Sequence, residues 1–288
     1  MTWFVLAILT AIFYGAQAAY LKGLTGDLDQ MLVTWSLFVF ALPLFGVSLW
    51  VWGMPEVSSS FWLPFAVSLG INLVAWPTFV KSVRLSDISL VMPLLAFTPV
   101  FVLAIEYLLL GASPGRYGLA GILLIVVGAY VLNLREGASA ALDPIRSLAS
   151  DRGALLMLFV GAIWSISATV EKIIVTSSSP SFYMTSFGAM FAVCFLPVMK
   201  KFGAPSVEEF RRNWLILAGA GLLTGAMALA QMTAIKTTPL VNYVISIKRA
   251  GMLVSVLFGW LVFGEKNIFF RLVGAVVMIG GVGLIKLA

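Results

Sequence analysis

Ten apolar runs, each about long enough to cross a bilayer, occupy nearly all of this 288-residue chain. They fall at about 3–22, 31–52, 61–80, 88–110, 115–134, 154–174, 181–199, 213–235, 240–263 and 268–287. A hydrocarbon core of about 30 Å takes roughly 20 helical residues to span. Lipid offers no partner to backbone groups left unbonded by their own segment, so such runs must be helices. The pattern predicts an all-α membrane protein with ten transmembrane helices. Composition agrees, at 61% hydrophobic and 10% charged, against about 25% charge in a soluble domain.

The same composition narrows the function. The net charge of +6 does not point to nucleic acid, because loop Lys and Arg of a membrane protein orient the chain and meet anionic lipid. There is no histidine and a single cysteine, Cys194. No disulfide framework can form within the chain, and His-based relays, Ser-His-Asp hydrolysis and most metal sites are excluded. No catalytic residue, metal or cofactor is expected. No GxxxxGK[ST] loop is present, so any work must draw on a gradient or an exchanged solute. The first run has no charged lead and no small-residue cleavage site, and reads as a retained span.

Most connections are short. The longest, about 135–153, divides the chain into halves of five spans, 1–134 and 154–288. The halves look like copies. Tyr14-Gly15 followed by Lys22 matches Trp164-Ser165 followed by Lys172 at an offset of 150. Trp62 matches Trp214 at 152. Gly111, Gly121 and Gly128 match Gly264, Gly274 and Gly281 at 153. Five is odd, so the copies are expected to be inverted in the membrane. Inverted repeats with a midplane site are the architecture of secondary transporters.

These residues also carry a family resemblance. Phe263-Gly264-Glu265, Arg271 to Gly274 and the last-span glycines, with Pro99, Leu110-Gly111, Gly118, Gly121 and Gly128 in the first half, resemble the EamA family of the drug/metabolite transporter superfamily. The opening helix of each half is similar too, and the likeness covers essentially the whole chain. One departure is visible. The glutamate usual after the glycine of the fourth span is Ala112 here, and only Glu265 keeps it. The resemblance implies a multi-pass carrier of small organic solutes in a cell membrane, the inner one in a bacterium.

Within the ninth run, Lys248 and Arg249 are adjacent, about nine residues or roughly 13 Å from its start. A charge at such depth costs about 2.5–3.5 kcal/mol on insertion scales, so the pair must face protein, water or a ligand. Two readings stand. The cations pair with a structural carboxylate or reach an interface, or they form an anion site, where Arg can grip carboxylate or phosphate bidentately. The first-half equivalents, near Ala96 and Phe97, are neutral. The pair resembles that of the triose-phosphate and sugar-phosphate translocators of the same superfamily, which implies a phosphate-holding role.

Glu106 reads as the carboxylate well inside a span, and it is the candidate partner or coupling group for the two cations. Uncharged polar groups also fall mid-span: Gln17, Asn72, Gln231, Asn242 and Tyr243. They are read as inward-facing, in a site or in helix–helix hydrogen bonds. Tyr14, Trp76 and Trp164 are candidate cavity walls. Pro77 and Pro93 should bend spans three and four. The glycines spaced by seven in spans five and ten mark close-packing faces, within the chain or in a homodimer.

Loop charge puts about twelve Lys or Arg on the side of connections 1–2, 3–4, 5–6, 7–8 and 9–10, and about four on the other. The positive-inside rule then places both termini outside. The expected function is secondary active transport of a small organic metabolite, with an anionic group held by Lys248 and Arg249. A proton or counter-substrate and the lipid bilayer are the other expected partners, and nucleic acid is not one. Alternatives are export of neutral or cationic metabolites and, more remotely, a channel, a lipid scramblase or an intramembrane lipid enzyme.

Overall fold

Helix starts are written locally along the chain. The Asp29 carboxylate accepts from the N–H groups of Met31 (2.8 Å) and Leu32 (3.0 Å). Asp151 does the same for Ala154 (2.8 Å), Ser179 for Phe182 (3.1 Å) and Ser206 for Glu209 (2.9 Å). Each satisfies an amide that the first turn leaves orphaned. In the computed structural model, residues 2–24, 28–86, 91–132, 150–203, 206–254, 257 and 269–288 are described.

Among the described residues all regular structure is helical. The α-helices are α1 (Thr2–Leu24), α2 (Gln30–Val39), α3 (Leu42–Trp52), α4 (Trp62–Leu85), α5 (Thr98–Leu110), α6 (Arg116–Leu132), α7 (Arg152–Thr176), α8 (Pro180–Phe202), α9 (Val207–Thr237), α10 (Val241–Ala250) and α11 (Phe269–Leu287), with 3-10 turns at Ser59–Phe61 and Met92–Phe97. Among the described residues six stretches are long and apolar enough to cross a membrane: Thr2–Leu21, Gln30–Trp52, Ser59–Leu85, Arg152–Thr176, Pro180–Phe202 and Val207–Thr237. Shorter apolar helices occupy Leu94–Leu110, Arg116–Leu132 and Val273–Leu287.

Three runs differ from uninterrupted helices. The second breaks between α2 and α3, where Pro43 opens the new helix. The fourth begins as the 3-10 turn Met92–Phe97, and α5 then carries Pro99 in its first turn. Both prolines lack an N–H and so sit at element starts. In the ninth, α10 is ten residues long and ends at Ala250. Pro77 lies inside α4, which continues to Leu85. The Phe263-Gly264-Glu265 motif and residues 133–149 of the inter-repeat loop lie outside the described residues, as do the side chains of Lys22, Pro93 and Arg271.

The two halves interlock reciprocally. α1 packs against α9, and its counterpart α7 packs against α4, the counterpart of α9. One pair of bonds makes this concrete. Gln17 Nε2 donates to Thr224 Oγ1 at 2.5 Å, and Asn72 Nδ2 donates to Ser167 Oγ at 3.0 Å. Ser167 stands 150 residues after Gln17, and Thr224 stands 152 after Asn72. The repeat offsets seen in the sequence thus reappear as equivalent contacts.

α6 and α11 form the closest seam. A Cβ built on Gly121 would lie 2.6 Å from the Gly281 carbonyl oxygen, and one on Gly281 would lie 2.6 Å from that of Gly121. Gly128 and Gly274 oppose each other likewise, at 2.7 and 2.6 Å. The pairing is antiparallel and crosses between repeats. In lipid, helix association rests on such close backbone approach and not on water exclusion. The glycine faces therefore meet each other within one chain, as the packing reading of them expects.

Candidate functional site

The site forms where α1, α9 and α10 converge, at the start of α5. Lys248 Nζ donates to Gln231 Oε1 at 2.7 Å and lies 5.4 Å from the centre of the Tyr14 ring. Arg249 is buried. Its Nη1 donates to the Tyr14 hydroxyl at 3.3 Å and its Nη2 to Thr98 Oγ1 at 2.9 Å. Its Nε is buried with no hydrogen-bond partner among the described residues. Among the described residues every acceptor of the two cations is neutral. The ion pair found among the described residues, Arg84 with Asp29 at 3.6 Å, lies elsewhere. Two adjacent positive charges held by neutral oxygens have capacity left for an anion.

A second polar cluster lies on α7, α4 and α8. Glu171 Oε1 accepts from Ser167 Oγ (3.3 Å) and from the Tyr183 hydroxyl (3.4 Å). Ser68 Oγ lies 3.1 Å from Ser167 Oγ and 3.0 Å from the Tyr183 hydroxyl. Asn72 Nδ2 donates to Ser68 O and Ser167 Oγ. Glu171 and Lys248 are within electrostatic reach of each other without forming an ion pair. Depths agree. Glu171 is five residues from the end of α7, Gln231 six from the end of α9, and Lys248 seven from the start of α10. At ~1.5 Å per residue all three lie roughly 8–10 Å from one side of the bundle.

Glu106 is turned elsewhere, which corrects the expected pairing with the cations. It is 2% exposed, and its oxygens accept from the N–H groups of Val241 (2.6 Å) and Asn242 (3.1 Å). A carboxylate at the start of α10 answers the positive end of the helix dipole. Across the same turn, Lys172 Nζ donates to the carbonyls of Ile235 (2.7 Å), Lys236 (3.2 Å) and Thr238 (2.8 Å), at the negative end of α9. Opposite charges from α5 and α7 thus clamp the α9–α10 turn that presents Lys248 and Arg249. Clamping fixes the entry of α10, and with it the direction of the cations.

The other expected residues divide. Tyr14 and Gln231 join the cations. Gln17 bonds Thr224 at the α1–α9 contact, and Asn72 belongs to the Glu171 cluster. Asn242 pins α10 to α5 by donating to Pro99 O at 2.8 Å, and accepts from Ser246 at 2.9 Å. Tyr243 stacks on Trp3 at 5.9 Å and fills the space over Gly118. Trp76 and Trp164 meet edge to face at 5.4 Å, beside Phe79. Trp76 Nε1 is buried without an acceptor among the described residues.

Sequence reading missed Thr98, Glu171, Ser167, Ser68 and Tyr183. Glu171 lies inside the run 154–174, beside Lys172 and close to its end. A usable signal was the spacing of four in Ser167/Glu171 and Ser68/Asn72, which puts each polar pair on one helix face. Thr98 gave no such signal.

The chain matches the model of the EamA-like transporter family twice, over residues 1–134 and 151–287. A solved crystal structure aligns with 98% of this chain and 96% of its own, at a TM-score of 0.73 and 16% identity. At that identity the likeness bears on the fold. No curated protein matches the sequence.

Proposed function

The chain belongs to the EamA-like transporter family, and we propose that it is a secondary active transporter of a small organic anion. In this reading ten spans in two inverted five-helix repeats give alternating access to a central site in a cell membrane. Lys248 and Arg249 fix a carboxylate or phosphate group, with Tyr14, Gln231 and Thr98 holding the cations in place. One observation carries the reading: among the described residues both cations lie inside the bundle with neutral acceptors alone, and one guanidinium N–H has none. Burying charge without a counter-ion is costly, and a bound anion would offset that cost.

The family premise also accommodates export of neutral or cationic solutes. Glu171, within reach of Lys248, favours that second reading insofar as it cancels part of the positive field.

The test is a thermal-shift screen of purified protein against phosphorylated sugars, carboxylates, amino acids and organic cations. It is run on the parent, Lys248→Gln and Arg249→Gln. A ligand at 100 times its Kd stabilises by ~2.7 kcal/mol. Stabilisation of the parent alone by anions is the expected result. Equal stabilisation of all three proteins by amino acids or cations would overturn it.

A further inference from the structure

Glu171 is a carboxylate inside the bundle that the anion site does not use. One oxygen, Oε1, is held by Ser167 and Tyr183, while Oε2 has no hydrogen-bond partner among the described residues. The residues behind it, Ser68, Ser167 and Tyr183, are buried, yet Glu171 itself is only part-buried. Neither Glu171 nor Lys248, at matching depth, is fully covered by protein. The first-repeat equivalent, at the offset of 150, is Leu21, so the carboxylate belongs to one half alone.

Its surroundings leave few charges to answer. From α8 it meets the Tyr183 hydroxyl, and from α10 the field of Lys248. α4 presents the neutral Ser68 and Asn72. Lys172 on its own helix is turned to the carbonyls ending α9, and Lys236 of α9 donates to Ser178 O. Glu106 of α5 is occupied by the start of α10, and Arg249 by Tyr14 and Thr98. Lys248 is thus the charge that Glu171 shares with an incoming anion.

We propose that Glu171 binds the proton that accompanies the transported anion. This rests on the anion reading of Lys248 and Arg249. In the empty site the ionised Glu171 balances part of the charge of Lys248 and Arg249, leaving one net positive charge. A monoanion arriving at Lys248 replaces the carboxylate as its counter-charge and repels it. Glu171 then takes up one proton on Oε2, and the net charge of the site is again one positive. The cargo is one anion and one proton, so the loaded and empty sites cross the membrane with equal charge.

The experiment uses the intact detergent-purified protein in weakly buffered solution, with inorganic phosphate, lactate and phenylacetate as probes. Proton uptake and Kd are measured together, by pH indicator and calorimetry, on the parent, Glu171→Gln and Tyr183→Phe. For a probe that binds, the parent should take up one proton per anion, and its Kd should tighten up to tenfold per unit fall in pH. Glu171→Gln should bind with no uptake and a flat pH profile. Tyr183→Phe should keep the uptake with a shifted midpoint, and it carries the test should the Gln variant fail to fold. Binding without uptake in the parent, or uptake that persists in Glu171→Gln, overturns the proton role and leaves the anion site standing. No binding of any probe to the parent overturns both.

Discussion

Lys248 and Gln231 are joined by a 2.7 Å hydrogen bond in which the ammonium is answered by an amide oxygen and not by a carboxylate. The residues come from α10 and α9, on either side of the clamped turn, so their separation is fixed by backbone. That neutral bond orients Lys248 without cancelling its charge. A carboxylate on the same stem would orient it and cancel it.

Gln231→Glu therefore separates the two effects. The variant should fold at least as well as the parent, because it turns the neutral bond at Lys248 into a direct ion pair. Its affinity for anions should fall at least about tenfold, roughly 1.4 kcal/mol, by calorimetry or thermal shift. Unchanged anion affinity would show that the charge of Lys248 is not what the ligand meets.

Glu106 is expected to act through the fold. Glu106→Ala removes two hydrogen bonds from a charged acceptor to the start of α10, each worth about 1.5–3 kcal/mol, and should lower Tm clearly. Glu106→Gln keeps one acceptor oxygen and should fall between the two. Anion affinity of the folded Gln variant should stay near that of the parent. A Gln variant with normal Tm and lost binding would return Glu106 to the site.

The glycine seam gives a contrast within one helix pair. Gly121→Ala or Gly281→Ala drives a Cβ into a facing carbonyl, and overpacking of this kind costs about 1–3 kcal/mol. Gly280→Ala and Gly283→Ala, with nothing within 4 Å of the new atom, should leave Tm unchanged or raise it slightly. Equal effects at all four positions would argue against the seam.

Asp151 supplies the pH dependence. The Ser86 hydroxyl, and then the Ala154 N–H, hold its carboxyl below the usual aspartate range. A depressed folded-state pKa stabilises above the unfolded value and is lost as pH falls through the folded one. Acidification should therefore weaken the start of α7 before global unfolding, read by exchange of the Ala154 amide. Asp151→Ala should cost about 0.5–2 kcal/mol, the usual loss of a helix cap, and flatten that acid response.

How much was legible in the sequence depends on whether the cause was local. Apolar run length dictated helices in a membrane, because lipid leaves the backbone no other partner. Repeat offsets of 150 to 153 dictated two related halves, and the contacts of Gln17 with Thr224 and of Asn72 with Ser167 follow those offsets. The depth of Lys248 and Arg249 required them to face inward, since lipid would not hold them. Tertiary structure decided which partner each charge met. Glu106 and Glu171 are both single carboxylates in apolar runs, and nothing local tells them apart. Packing of α5 under the α9–α10 turn gave Glu106 to backbone amides, while packing of α7 against α4 and α8 gave Glu171 to the hydroxyls of Ser167 and Tyr183. A hydrogen bond is decided within about 3 Å, and residues 135 positions apart reach that distance only once the helices have packed.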